Sequence, residues 1–249
     1  MDGPWSGAVA RAGGGRRLGA RDLGDVAAVP YRDFVRPPGG IRNEDLVIDH
    51  VRRVARVLEE EARDGFTLVL GGDCSVLLGS LLGLARGRDL GLVFIDGHTD
   101  FNTLETTVTG AVAGMDLALA TGRGSSELAR LRGARALVQD EHVVAVGVRD
   151  GDFGEAKIRT AATAGEVLDH LGDRELFIHV DVDVLDPAFM PFVDSPEPGG
   201  LDPAALVALL TPLVRHPRAV GMELTIYDPR DDRDGRGAAL LADMLAQVF

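Results

Sequence analysis

The sequence predicts an α/β fold, a three-layer α/β/α domain built on a mainly parallel sheet. Three observations lead to it. Five short runs are apolar on both faces, as strands covered on both sides must be. Helical patterns separate most of them, the alternation that produces parallel strands. Polar residues also cluster just past the carboxyl ends of those runs, where open parallel sheets bind their ligands.

The elements follow in order. Residues 1 to about 40 are rich in Gly, Arg and Pro and read as loop, with at most a short strand near Asp25 to Val29. Asn43 suits an N-cap. From it a long amphipathic helix is expected to about Asp64, with Leu46, Ile48, Val51, Val54 and Leu58 on its apolar side. Strands are expected at 67–70 (TLVL), 92–95 (LVFI), 143–148 (VVAVGV), 176–180 (LFIHV) and 219–226 (AVGMELTI). Helices are expected at 75–86, 114–120, 163–171, 204–215 and 237–247. No repeat or linker divides the chain, so residues 1–249 are expected to form one domain.

Bulk properties narrow the function. The chain has 249 residues, 45% of them hydrophobic, enough for a substantial core. Its formal net charge of −13 argues against nucleic acid, which needs clustered Lys and Arg. The single cysteine excludes an internal disulfide and suits a reducing compartment. No apolar run suits a signal peptide or approaches the ~20 residues that span a bilayer, so a soluble, cytoplasmic protein is expected.

Four polar clusters sit at strand ends: GGDCS at 71–75, DGHTD at 96–100, RDGD at 149–152 and DVDVLDP at 181–187. Asp96, His98 and Asp100 alternate, so in extended backbone they project to one side, and Asp181 and Asp183 do the same. Such a cluster repels itself unless cations neutralise it. Carboxylates with imidazole suit Mn²⁺, Mg²⁺ or Zn²⁺, and few ligands shared between ions favour a bridged pair. Asp73 and Asp186 read equally well as loop caps. His142, His170, His179 and His216 lack such company and read as structural.

These blocks resemble the arginase and agmatinase family, the ureohydrolases. LGGDCSVLLG is similar to the family's Gly-Gly-Asp-His-Ser loop and FIDGHTDFNT to its Asp-Ala-His-x-Asp loop. VDVDVLDP and GMELTIYDP are similar to its Asp-x-Asp-x-x-Asp-Pro and final Glu-containing segments. The resemblance spans about residues 67–229. It implies an arginase-like fold, two Mn²⁺ per subunit, a small amino-acid substrate and assembly as a homo-oligomer, a trimer or hexamer. By position, Asp96 and Asp181 are expected to bridge the metals, His98 and Asp183 to complete one site, and Cys74 and Asp100 the other. Asp100 is also the expected catalytic proton donor to the leaving amine, with a metal-bridging hydroxide as nucleophile. Asn102 and Thr109 match contacts to a substrate carboxylate, and Asp152 and Glu155 match the acids that receive an α-ammonium. About twenty residues precede ARDLGDV, so the family's opening strand is expected to be absent or rebuilt.

Three positions depart from the pattern. Cys74 replaces a histidine ligand, Ala113 a proton-shuttling histidine, and Ile226 the glutamate that holds a cationic guanidinium. Glu223 lies three residues before Ile226, on the opposite side of the strand, and cannot stand in for it. A thiolate is softer than imidazole and favours Zn²⁺ or Fe²⁺. Without a counter-ion, a buried guanidinium is costly. An N-hydroxyguanidine is a weaker base and can bind neutral. The pattern therefore points to Nω-hydroxy-L-arginine, hydrolysed to hydroxyurea and L-ornithine, as in the cycloserine branch of the family. An arginase, agmatinase or formimidoyl-glutamate hydrolase is the alternative within the class, and a catalytically dead scaffold subunit the alternative outside it.

Overall fold

The computed structural model describes residues 18–27, 32, 36, 39–62, 65–85 and 87–249. In chain order the elements are α1 (Glu44–Glu61), β1 (Thr67–Leu70), α2 (Val76–Leu84), β2 (Leu90–Ile95), α3 (Asp116–Ala120), β3 (Val143–Val146), β4 (Arg159–Thr160), α4 (Ala164–Leu171), β5 (Glu175–Asp181), α5 (Pro203–Val214), β6 (Ala219–Thr225) and α6 (Arg236–Val248). The six strands pair in the order β1-β6-β5-β2-β3-β4, and every pairing is parallel.

Two cores lie on the two sheet faces, because strand side chains alternate. Leu92, Phe94 and Phe177 pack with buried residues of α1, α2 and α3. Val93, Ile95, Ile178 and Val180 pack with those of α4, α5 and α6. α2 reads VLLGSLLGL and is buried almost all round, as a helix without a polar face must be. It lies hard against α1: a Cβ at Gly83 would come within 2.7 Å of the Ala55 carbonyl oxygen, and one at Gly79 within 2.8 Å of Val54.

Several expectations change. Asn43 precedes α1 but does not cap it: its backbone is left-handed at φ 49°, and its side-chain amide donates to the Arg32 carbonyl instead. β4 was not expected, because two exposed residues carry no apolar signature. β3 stops at Val146, since Gly147 turns the chain at φ 94°, where a Cβ would strike Val184 at 2.4 Å. β6 stops at Thr225, before Ile226 at φ 72°. For the strand expected near Asp25 to Val29, residues 25–27 are not in a strand, and 28–29 lie outside the described residues. So does most of the N-terminal segment to which the opening-strand expectation belongs. α4 starts on a capping box between Thr163 and Glu166, and α5 starts on Asp202, which accepts from the Ala205 N–H with Pro203 behind it. Among the described residues no helix is long and apolar enough to cross a membrane.

Candidate metal centre

The carboxyl ends of β1, β2, β3, β5 and β6 deliver their loops to one edge. The β2 loop does not stay extended, as the alternation of Asp96, His98 and Asp100 suggested. Asp96 Oδ1 accepts from the His98 N–H at 2.6 Å, which bends the loop, and Asp100 takes a left-handed φ of 42°. After β5 a 3₁₀ turn, Val182–Val184, replaces the strand, with Asp181 Oδ1 accepting from the Asp183 N–H at 2.7 Å. Both loops curl around their first carboxylate, and both turn their remaining side chains inward.

The six expected ligands converge. The ligand atoms of Cys74, Asp96, Asp100 and Asp181 lie within 4.8 Å of one another, and so do those of Asp96, His98 and Asp183. Asp96 belongs to both groups. It is fully buried, and its Oδ2 has no hydrogen-bond partner. His98 Nδ1 lies 2.9 Å from Asp183 Oδ2, and Cys74 Sγ donates to Asp181 Oδ2 at 2.8 Å and lies 3.2 Å from Thr225 Oγ1.

Without a cation this packing is electrostatically adverse. Burial pushes the Asp96 and Asp181 carboxyls well above the ordinary range, with Asp181 adding to the first and Asp183 to the second. Burial likewise raises Asp100 to about 8 and lifts the Cys74 thiol, which also faces Asp181. The Asp183 hydrogen bond raises His98 to about 9 against its partial burial. Burial opposes the ionised form of Asp183, yet His98 holds that carboxyl low. Carboxylates, imidazole and thiol with an unpartnered buried oxygen form a donor set that fits divalent cations.

Two neighbours from the RDGD cluster at 149–152 hold this edge together, in roles that the sequence alone does not assign. Arg149 donates through its side chain to the carbonyls of Gly147, Asp183, Val184 and Glu197, and its N–H donates to the Gly97 carbonyl. Asp150 accepts from the N–H of Thr99 at 2.8 Å, between His98 and Asp100. Asp73 and Asp186 are loop caps, accepting from Ser75 and from Ala188 and Gly199.

The substrate-contact candidates lie on exposed loops. Asn102 follows Asp100 by two positions, and its Oδ1 accepts from Thr106. Thr109 Oγ1 accepts from the Ala111 N–H, and Asp152 Oδ1 from the Gly154 N–H. Glu155 sits on a turn, beside an open recess lined also by Arg123, Asp140 and Lys157. Of the departures, Cys74 and Ile226 share a core cluster and Ala113 packs against it.

A profile of the Arginase family matches residues 9–249. The chain belongs to the arginase family. As a member of it, the protein is a hydrolase acting on the C–N bonds of amidines. It is 38% identical over 199 residues to an N(omega)-hydroxy-L-arginine amidinohydrolase of Streptomyces lavendulae, covering 75% of this chain and 70% of that protein. It is 33% identical over 203 residues to an arginase of Bacillus subtilis, covering 72% of this chain and 67% of that protein. The solved arginase of Bacillus caldovelox superposes with a TM-score of 0.89 at 28% identity, covering 98% of this chain and 91% of that one. This arginase-family chain thus shares the three-layer fold through nearly its whole length.

His179, read from the sequence as structural, lies beside the centre. It is fully buried, and its Nε2 lies 3.9 Å from Asp96 Oδ2. A signal was available: His179, Asp181 and Asp183 alternate as Asp96, His98 and Asp100 do. His142 and His170 do stay apart from the centre, engaged by Arg174 and Asp89 and by the Glu141 carbonyl.

Proposed function

We propose that this arginase-family hydrolase cleaves the guanidine C–N bond of Nω-hydroxy-L-arginine, releasing hydroxyurea and L-ornithine. Ile226 carries the proposal. It is 8% exposed and shares a core cluster with Cys74, with Ala113 packed against that cluster, so apolar groups stand at the position where a guanidinium counter-ion is expected. Glu223 does not fill that place, because His179 and Ser80 engage its two oxygens. A neutral N-hydroxyguanidine suits such a wall, whereas a guanidinium loses its solvation there without a partner. The relative from Streptomyces lavendulae, named for this substrate, supports the same reading.

The residues would hold two divalent cations, Mn²⁺ in the first instance. Cys74 and Asp100 would hold one ion and His98 and Asp183 the other, with Asp96 and Asp181 serving both. When bound, such a pair supplies an acidified water as nucleophile and Lewis-acid stabilisation of the developing oxyanion. The water oxygen bonds to the guanidine carbon, and the bond from that carbon to the ornithine Nδ breaks. Asp100 takes the proton that the attacking water gives up and passes it to that Nδ as it leaves. Asn102 and Thr109 orient the substrate carboxylate, and Asp152 and Glu155 its α-ammonium.

Restoring the carboxylate tests the reading. Ile226→Glu is expected to raise kcat/KM for L-arginine at least about tenfold while lowering it for the hydroxylated substrate, with products followed by mass spectrometry. A variant that leaves both values unchanged removes Ile226 as the determinant of specificity.

A further inference from the structure

We propose that His179 is a metal ligand of this chain, supplying to the ion shared by Cys74 and Asp96 the imidazole that position 74 lacks. The proposal rests on the reading of the strand-end cluster as a metal centre. It assigns a donor from a different element, the middle of β5 rather than the loop after β1.

The ring is fixed on three sides. His179 pairs across the sheet with Phe94 on β2 and Glu223 on β6. Its ring stacks on Phe94 with centroids 4.9 Å apart and planes at 10°. Nδ1 lies 2.6 Å from Glu223 Oε1, and the other oxygen of Glu223 accepts from Ser80 Oγ on α2 at 2.5 Å. All of these polar side chains are fully buried. A carboxylate on one ring nitrogen sets the tautomer and aims the other nitrogen, an arrangement that recurs behind metal-binding histidines.

The aimed nitrogen has nothing to bind. Nε2 points at Asp96 Oδ2 across 3.9 Å, and neither atom has a hydrogen-bond partner. At 3.9 Å the two are too far apart for a hydrogen bond, so a buried ring nitrogen and a buried carboxyl oxygen face each other unsatisfied. Two ligand atoms each about 2.1 Å from one ion are at most about 4.2 Å apart, so the gap has the width a shared cation needs. The ligand atoms of Cys74, Asp96 and His179 lie within 4.8 Å of one another. Thiolate, imidazole and carboxylate together make this the softer of the two positions, suited to Zn²⁺, Fe²⁺ or Co²⁺.

The test is metal binding read without turnover. Metal-free protein is titrated with Co²⁺ by calorimetry, and the loaded protein is examined by X-ray absorption for sulfur and imidazole donors. The wild type is expected to bind two ions with two imidazoles between them, from His98 and His179. His179→Gln is expected to keep the ion at His98 and Asp183 and to lose at least about tenfold in affinity at the Cys74 position. Glu223→Gln, which keeps the imidazole but weakens its anchor, should weaken the same ion less. Two ions with one imidazole in the wild type, or unchanged affinity in His179→Gln, overturns the proposal and leaves the metal-centre reading standing. A wild type that binds no ion overturns both. Should His179→Gln fail to fold by circular dichroism, the imidazole count on the wild type still decides.

Discussion

Asp116 opens α3 fully buried, with neither carboxylate oxygen hydrogen-bonded. Burial pushes its carboxyl well above the ordinary range, and Asp100, Glu223 and Asp73 push in the same direction. The folded chain therefore holds this proton more tightly than the unfolded chain does. Its contribution to stability is complete below about pH 4, the value of a free carboxyl, and is lost as pH rises through the folded-state value. Asp116→Asn removes that loss. Urea melts of the metal-free variant should show a shallower fall in stability between about pH 5 and pH 8 than the wild type, and an identical slope would contradict the assignment. Nothing in the sequence marked Asp116, because a carboxylate at the first position of a helix reads as an ordinary dipole partner. Ile226 was legible as a departure but not as strained. A β-branched residue at φ 72° is an outlier that costs roughly 1–3 kcal/mol, and the site's shape includes that kink.

Between elements, the centre is a set of loops tied to one another. The strand-end acids were readable because apolar runs fix where strands stop, and a stopped strand in a parallel sheet points its loop at the ligand edge. The ties were not readable. Arg149 reaches carbonyls 2, 34, 35 and 48 positions away, and His179 meets Glu223 across 44 positions. Such partners are set by sheet order, which periodicity does not give. Arg149→Met keeps the aliphatic stem and removes the donors to the Asp183 and Val184 carbonyls. Its expected effect is at least about tenfold weaker binding of the ion held by His98 and Asp183, measured by calorimetry. Equal affinity in the variant would show that the loops keep their places without it. The same limit explains β4, which exists only because β3 offers it an edge, and Asn43, whose amide found Arg32 before it could cap α1.

At the scale of the whole molecule, a fold that buries Asp96 and Asp181 beside Asp100 and Asp183 is expected to gain stability from cations that neutralise them. Each ion bound by the folded chain alone adds about 2.7 kcal/mol at a free concentration one hundred times its Kd. For a chain of this length that corresponds to several degrees in Tm per ion. Mn²⁺ or Co²⁺ is thus expected to raise Tm by about 5 °C or more, and EDTA to reverse the rise. A Tm indifferent to both ions and chelator would contradict a metal centre. The family and the layered fold were legible from the sequence because four blocks share the ends of predicted strands. The proposed substrate rests on Ile226, with Cys74 and Ala113 in or against the same core cluster. Its most direct test is the ratio of kcat/KM for Nω-hydroxy-L-arginine to that for L-arginine, measured on one metal-replete preparation. The proposed function predicts a ratio well above one, with hydroxyurea and L-ornithine as products. A ratio below one would contradict the account.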